Sequence, residues 1–278
     1  MKSNISLNIN KDFKFVSSNW MNDKSDKSIL ITIITVTYNA ENQIKRTIES
    51  VLSQSYNSIE YVIIDGESTD NTLNIINQYR DEIDYIQSKP DRGLYDAMNI
   101  GIDIASGDYV LFLNANDIFC DSNVIKDIVD FISKSLEEID ILYGNAIFEL
   151  KDRNIRAIPK KIELLSREMI FSHQSVFVRT KILKQYKFDL KYKYVADYNQ
   201  LSNIYIDGYK FHYYNRDISI SATGSGVTFE NTFDSVREHY SIPRLKLNPY
   251  SKVRMYRMLL LKKLVPIKAQ LRNIFKSF

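Results

Sequence analysis

The chain has one cysteine, Cys120, in 278 residues, so it can form no intrachain disulfide and suits a reducing compartment. Cys120 itself reads as a small filler near a strand end. No stretch approaches the roughly 20 apolar residues that cross a bilayer, which leaves peripheral contact as the expected relation to a membrane. Residues 1–28 hold no apolar run of the signal-peptide kind, and the expectation is a cytoplasmic protein. Acidic residues are absent from Ser241 to Phe278, where ten Lys and Arg occur. The first 240 residues therefore hold 27 of the 37 basic side chains against all 34 acidic ones, a net −7. An acidic body with 19 dispersed tyrosines makes no phosphate-tracking groove, which argues against nucleic acid as a partner. A glycine fingerprint is also missing after the first apolar run, where Tyr38-Asn39-Ala40 stands, and this disfavours a nicotinamide dehydrogenase.

What the chain does contain is a series of apolar strands that end in oxygen-bearing side chains. Ile29 to Thr37 is nearly all β-branched and apolar, as a strand covered on both faces should be, and it stops at Tyr38-Asn39-Ala40-Glu41-Asn42. Tyr61 to Ile64 ends in Asp65-Gly66-Glu67-Ser68-Thr69-Asp70, and Tyr109 to Leu113 ends in Asn114-Ala115-Asn116-Asp117. Between the first two, Ile44, Ile48, Val51 and Leu52 recur at helical spacing. Strands alternating with amphipathic helices predict parallel βαβ units, whose ligands sit beyond the carboxyl ends of the strands. All three polar clusters would meet there. Carboxylate and carboxamide oxygens suit a hard divalent cation and, through it, a phosphate-bearing substrate, although an Asx-rich turn gives the same pattern.

Taken in order, Thr35-Val36-Thr37-Tyr38-Asn39, Ile64-Asp65-Gly66-Glu67-Ser68-Thr69-Asp70, Asp91-Arg92-Gly93-Leu94-Tyr95-Asp96-Ala97-Met98-Asn99 and Leu113-Asn114-Ala115-Asn116-Asp117 resemble the inverting glycosyltransferases of family 2. The later His173-Gln174-Ser175-Val176-Phe177, Ala196-Asp197-Tyr198 and Gly224-Ser225-Gly226 also fit, and the likeness spans about residues 29 to 240. It is strongest to bacterial enzymes that build O-antigen, capsule or exopolysaccharide.

The resemblance implies a GT-A fold: an α/β, Rossmann-like, mixed and mainly parallel sheet flanked by helices. It also implies a UDP-sugar donor, transfer of a hexose or N-acetylhexosamine, and a saccharide acceptor carried on undecaprenyl diphosphate. By the same resemblance Thr37 and Tyr38 line the nucleotide pocket, Asp65 accepts a hydrogen bond from uracil, and Arg92 and Asp96 belong to the donor site. Asp117 would be the main ligand of Mn2+ or Mg2+, with Asn116 beside the donor sugar or ribose. Asn116 stands where an acid is usual, which weakens the charge available to a cation. Asp197 would be the general base, and a helix N-cap is the alternative for it. His173 would face the acceptor side, or else be a structural histidine. The eroded acidic site keeps open a second reading, a catalytically silent nucleotide-sugar or saccharide-binding protein.

The sequence thus divides into an extension (1–28), a catalytic body (29–240) and a basic tail (241–278). In the tail Val253, Tyr256, Leu260, Leu264, Ile267, Leu271, Ile274 and Phe278 form one apolar stripe among basic residues, with Pro266 predicting two short helices. Such a segment reads as an anchor to an anionic membrane surface, or as a face packed on the body or a second subunit.

Overall fold

The computed structural model describes residues 28–222 and 232–245. The Gly224-Ser225-Gly226 turn, residues 1–27 and the stripe from Val253 to Phe278 lie outside them. The first half of the chain alternates strand and helix: β1 (Ile31–Thr37), α1 (Ile44–Leu52), β2 (Ile59–Asp65), α2 (Thr72–Asn77), β3 (Tyr85–Ser88), α3 (Leu94–Ile104) and β4 (Tyr109–Phe112). The second half continues with β5 (Asp117–Phe119), α4 (Val124–Lys134), β6 (Ile141–Glu149), β7 (Asn154–Ala157), β8 (Val176–Arg179), α5 (Thr180–Gln185), α6 (Ala196–Ile206), β9 (Phe211–Ala222) and α7 (Thr232–His239).

The strands form a nine-stranded sheet in the order β3-β2-β1-β4-β8-β6-β9-β5, with β7 paired to β6. The first four are parallel, β6 and β9 are parallel to each other, and β8, β5 and β7 join antiparallel. The expected mixed α/β sheet flanked by helices is the one found.

β1 is buried along its whole length, and alternation divides its side chains between two layers. Ile34 and Val36 pack with Val62, Ile64, Ala97, Met98 and Ile102, so α3 covers that face together with α5 and α6. Ile31 and Ile33 pack with Ile44, Ile48, Val51, Ile76, Ile125 and Ile128, so α1, α2 and α4 cover the other. Each fully buried Ile contributes about 1.5–3 kcal/mol, which makes this two-faced core the main source of stability. Gly101 allows α3 to approach closely, because a Cβ there would lie 2.6 Å from Ile34 Cγ2.

Parallel register brings Thr37, Asp65 and Ser88 level at the carboxyl edge of the sheet. At the other end of the chain, Ile242 and Leu245 are buried in the α6-side core and Arg244 is paired with Asp207 at 2.7 Å. The packed body therefore runs on past residue 240 to Leu245, because burial of these side chains outweighs the change in charge composition that marked the boundary in the sequence.

Candidate active site

The site begins with two loops, after β1 and after β2, that hold each other through side-chain-to-backbone bonds. Asn39 N donates to Ser68 Oγ (2.8 Å), Thr69 N to Asn39 Oδ1 (2.9 Å), Ala40 N to Thr72 Oγ1 (2.7 Å) and Asn71 N to Glu41 Oε2 (2.9 Å). Asn39 takes φ = 48°, a left-handed conformation that asparagine tolerates. Short polar side chains are frequent here because each can close a turn that main-chain pairing leaves open.

These loops wall a cleft of about 520 Å³ whose lining includes Thr37, Tyr38, Gly66, Pro90, Asp91 and Leu94. Tyr38 is 64% exposed, so its ring is available to a planar partner, and the hydroxyl of buried Thr37 has no hydrogen-bond partner. Asp65 is held by its neighbours on both oxygens. It is fully buried, its Oδ1 accepts from Ser68 Oγ at 2.5 Å, and its Oδ2 accepts from Ser68 N (3.0 Å) and Ser88 Oγ (2.6 Å). A carboxylate enclosed in this way orders the β2 and β3 ends, with both of its oxygens already engaged.

Helix α3 starts from Gly93, whose φ of 111° turns the chain out of the Asp91-Arg92 loop. The polar side chains of α3 divide among three tasks. Asp96 binds Arg92 through Nη2 (2.8 Å) and Nε (3.1 Å), so these two donor-site candidates form one ion pair that also ties the loop to the helix. Arg92 holds the carboxyl of Asp96 below the usual range. Asn99 is fully engaged with the main chain of Phe188, at 2.9 Å in both directions, and is therefore structural. Buried Tyr95 donates its hydroxyl to Asp197 Oδ1 at 3.1 Å.

Asp197 lies in the first turn of α6, while the N-cap position belongs to Val195. The cap alternative is thereby removed. Its Oδ1 also receives Tyr198 N at 2.8 Å. Glu238 of α7 fastens the approach to this turn by accepting from Lys193 N (2.9 Å) and Tyr194 N (2.8 Å), beside a second cleft of about 380 Å³.

The loop after β4 stays attached to β1, with Leu113 N bonded to Ile34 O (3.0 Å) and Ala115 N to Val36 O (3.2 Å). Asn116 sits at φ = 88° with its N–H on Thr47 Oγ1 (3.0 Å). The turn delivers Asp117 into β5 opposite Ser221 of β9, 7% exposed. Burial pushes its carboxyl up to about 6, against the opposing effect of Ser221 and Gln174. Asn114 Oδ1 is buried with no hydrogen-bond partner. One buried carboxylate and one orphaned amide oxygen fit part of an oxygen shell for a hard cation, with phosphate and water left to complete it. Among the described residues no group of three or more His, Cys, Asp or Glu gathers as a metal site.

His173 lies against Phe112 and Phe188, at ring separations of 5.2 and 5.9 Å, and both its nitrogens are enclosed without partners. Burial lowers its pKa while the charge of Asp197 opposes that shift, so the imidazole is neutral at pH 7. The next residue, Gln174, is the one that meets Asp117. Neither the Tyr95 to Asp197 bond, across 102 residues, nor the Gln174 contact leaves a signal in local spacing.

Comparison with known proteins extends the match beyond these motifs. The model of the family described as glycosyl transferase family 2 covers residues 32–218. A PGL/p-HBAD biosynthesis glycosyltransferase of Mycobacterium bovis is 30% identical over 177 residues, 61% of this chain and 67% of the relative. An uncharacterised glycosyltransferase of Haemophilus influenzae is 32% identical over 167 residues, 57% of this chain and 66% of the relative. Among solved structures, residues 1–349 of S. aureus TarS in complex with UDP-GlcNAc superpose with a TM-score of 0.64 at 19% identity, over 85% of this chain and 73% of that fragment. The mannosyltransferase PcManGT of Pyrobaculum calidifontis, in complex with GDP-Man and Mn2+, gives 0.61 at 15% identity, over 78% of this chain and 64% of its own. The sheet with its polar carboxyl edge is thus the GT-A fold, and with the family model matching about two thirds of its length, the chain belongs to glycosyl transferase family 2.

Proposed function

We propose that this glycosyltransferase moves a hexose or N-acetylhexosamine from a UDP-sugar to a saccharide acceptor, carried on undecaprenyl diphosphate during surface polysaccharide synthesis. The observation that carries the reading is α3, which lines the nucleotide-sized cleft with Leu94 and Ala97 and, through Tyr95, holds Asp197. Donor pocket and candidate base are two ends of one helix start. Asp197 takes the proton of the acceptor hydroxyl as that oxygen bonds to the anomeric carbon, and the bond to the nucleotide diphosphate breaks on the opposite face. One displacement inverts the anomeric configuration. Tyr38 and Thr37 hold the nucleotide, Asn116 lies toward ribose or sugar, and His173 and its aromatic neighbours bound the acceptor side without adding charge. Asp117, with Asn114 Oδ1, would hold Mn2+ or Mg2+, which when bound stabilises the charge left on the diphosphate.

Purified full-length chain incubated with UDP-sugars, Mn2+ and a lipid-linked saccharide is expected to release UDP. Tight UDP binding with no release from any donor would favour the silent binding protein that the Asn116 substitution suggests. Tyr95→Phe is expected to lower kcat about tenfold, the value of a hydrogen bond to a charged group at its low end, with the donor KM unchanged. An equal rise in KM would mean that Tyr95 merely supports the fold.

No helix among the described residues is long and apolar enough to cross a membrane. We place the enzyme on the cytoplasmic face of the membrane, held by the basic tail. Engaging about half of the nine Lys and Arg beyond Leu245, at about 1 kcal/mol each, supplies about 4 kcal/mol on an anionic leaflet. Deletion after Leu245, which spares the buried Ile242 and Leu245, is expected to leave UDP binding intact and to abolish co-sedimentation with anionic vesicles in low salt. Persistent sedimentation would move the membrane contact to the body.

A further inference from the structure

We infer that Asp91 reads the base of the donor nucleotide, its Oδ2 accepting the imide N–H of uracil. The inference rests on the UDP-sugar reading above and assigns to Asp91 the recognition that Asp65, enclosed by Ser68 and Ser88, cannot give. Gly66 follows Asp65 and has no side chain. The space that a side chain there would occupy is taken by Asp91: a Cβ added to Gly66 would stand 2.8 Å from Asp91 Oδ2 and 3.4 Å from Tyr38 Cδ2. A carboxylate from the β3–α3 loop has thus moved over the end of β2, beside the open ring of Tyr38 and within the cleft.

The two oxygens of Asp91 are not equivalent. Oδ1 accepts Gly93 N at 2.7 Å, which fixes the rotamer, while Oδ2 has no hydrogen-bond partner among the described residues. The side chain is only half-buried, so the oxygen can be met by a ligand. One available carboxylate oxygen next to an aromatic platform suits a base that stacks and offers a single N–H on its edge. Uracil offers that hydrogen between two carbonyls. Guanine presents two adjacent donors and is best met by two free oxygens, whereas cytosine and adenine turn a ring-nitrogen lone pair toward the carboxylate and are repelled. A polar site built for one donor rejects bases that lack it.

Calorimetric binding of UDP, CDP, GDP, ADP and inorganic diphosphate to the full chain tests this with Asp91→Asn and Asp91→Ala. The asparagine keeps an oxygen for Gly93 N and can turn an N–H2 to the cleft. Wild-type protein is expected to prefer UDP over the other three by at least about tenfold. Asp91→Asn is expected to weaken UDP about 10- to 100-fold, the range of a hydrogen bond to a charged group, and to bring CDP level with it. Asp91→Ala should lose UDP without gaining CDP, and inorganic diphosphate should bind all three proteins alike. A UDP preference that survives both substitutions overturns the role of Asp91 and leaves the UDP-sugar reading standing. Wild-type preference for GDP, or no binding of any nucleotide, overturns both.

Discussion

Asp197→Asn is expected to abolish sugar transfer, lowering kcat by about 10²–10⁴-fold while changing UDP affinity less than about twofold. The expectation follows from how the carboxylate is held. Tyr95 Oη–H and Tyr198 N both fall on Oδ1, which leaves Oδ2 to receive the acceptor proton. Asparagine retains an oxygen for those two donors, so the start of α6 and the buried tyrosine should keep their places. What disappears is basicity. Steady-state rates and UDP calorimetry on the same preparation separate the outcomes. Near-normal turnover would remove Asp197 from the base role, and parallel loss of UDP binding would reassign it to the donor side.

The second large effect is a pair of opposite changes at Asp117. Replacing it by Asn is expected to lower Mn2+-dependent UDP binding and turnover by about 10²-fold or more, yet to stabilise the metal-free protein at pH 7.5. A buried carboxyl raised to about 6 from its ordinary value folds more readily in its neutral form. That contribution is fully present below about pH 4 and is lost as pH rises through about 6, so at pH 7.5 the wild-type protein carries an ionised, desolvated group. At about 1.4 kcal/mol per pKa unit the penalty is at most about 3 kcal/mol, which is the upper limit of the gain on substitution. The proton also competes with the cation. Lowering the pH to 5, about one unit below the raised value, should weaken Mn2+ binding to wild-type protein about tenfold. Thermal melts at pH 5 and 7.5, with Mn2+ or chelator, check every part. A melt unaffected by Mn2+ at pH 7.5 would dismiss Asp117 as a ligand.

The sheet was readable from the chain because its signals are local. Ile31 to Thr37 is β-branched throughout with apolar side chains on both faces, and the helix after it repeats Ile44, Ile48 and Val51 at the right interval. Parallel pairing then places the ends of β1 and β2 side by side whatever the rest of the chain does. Asp117 and Asp197 could be nominated from the motifs around them. The enclosure of Asp65 could not be read from the chain, since its bond from Ser88 depends on strand register 23 residues away. The task of Asn99 was likewise hidden, because it is set by Phe188 in a distant segment. Periodicity tells which residues share a face and says nothing of what the face meets. The burial of Ile242 and Leu245 was hidden for a related reason, because they are two apolar residues in a basic stretch until α6 supplies the surface that buries them.

The pairing of Arg244 with Asp207 carries a geometric consequence for the acceptor. Asp207 caps the end of α6 opposite Asp197, ten residues along a helix that rises 1.5 Å per residue, so Arg244 is fastened up to about 15 Å from Asp197. If the proposed tail rests on a bilayer, α6 would stand as a spacer between headgroups and reaction. The hydroxyl that reacts would then be selected by height as well as by shape. On that proposal a sugar attached directly to the lipid diphosphate would sit too low and a hydroxyl further out along the oligosaccharide would come level with Asp197, so a single helix would act as a ruler for where on the growing chain the next unit is placed.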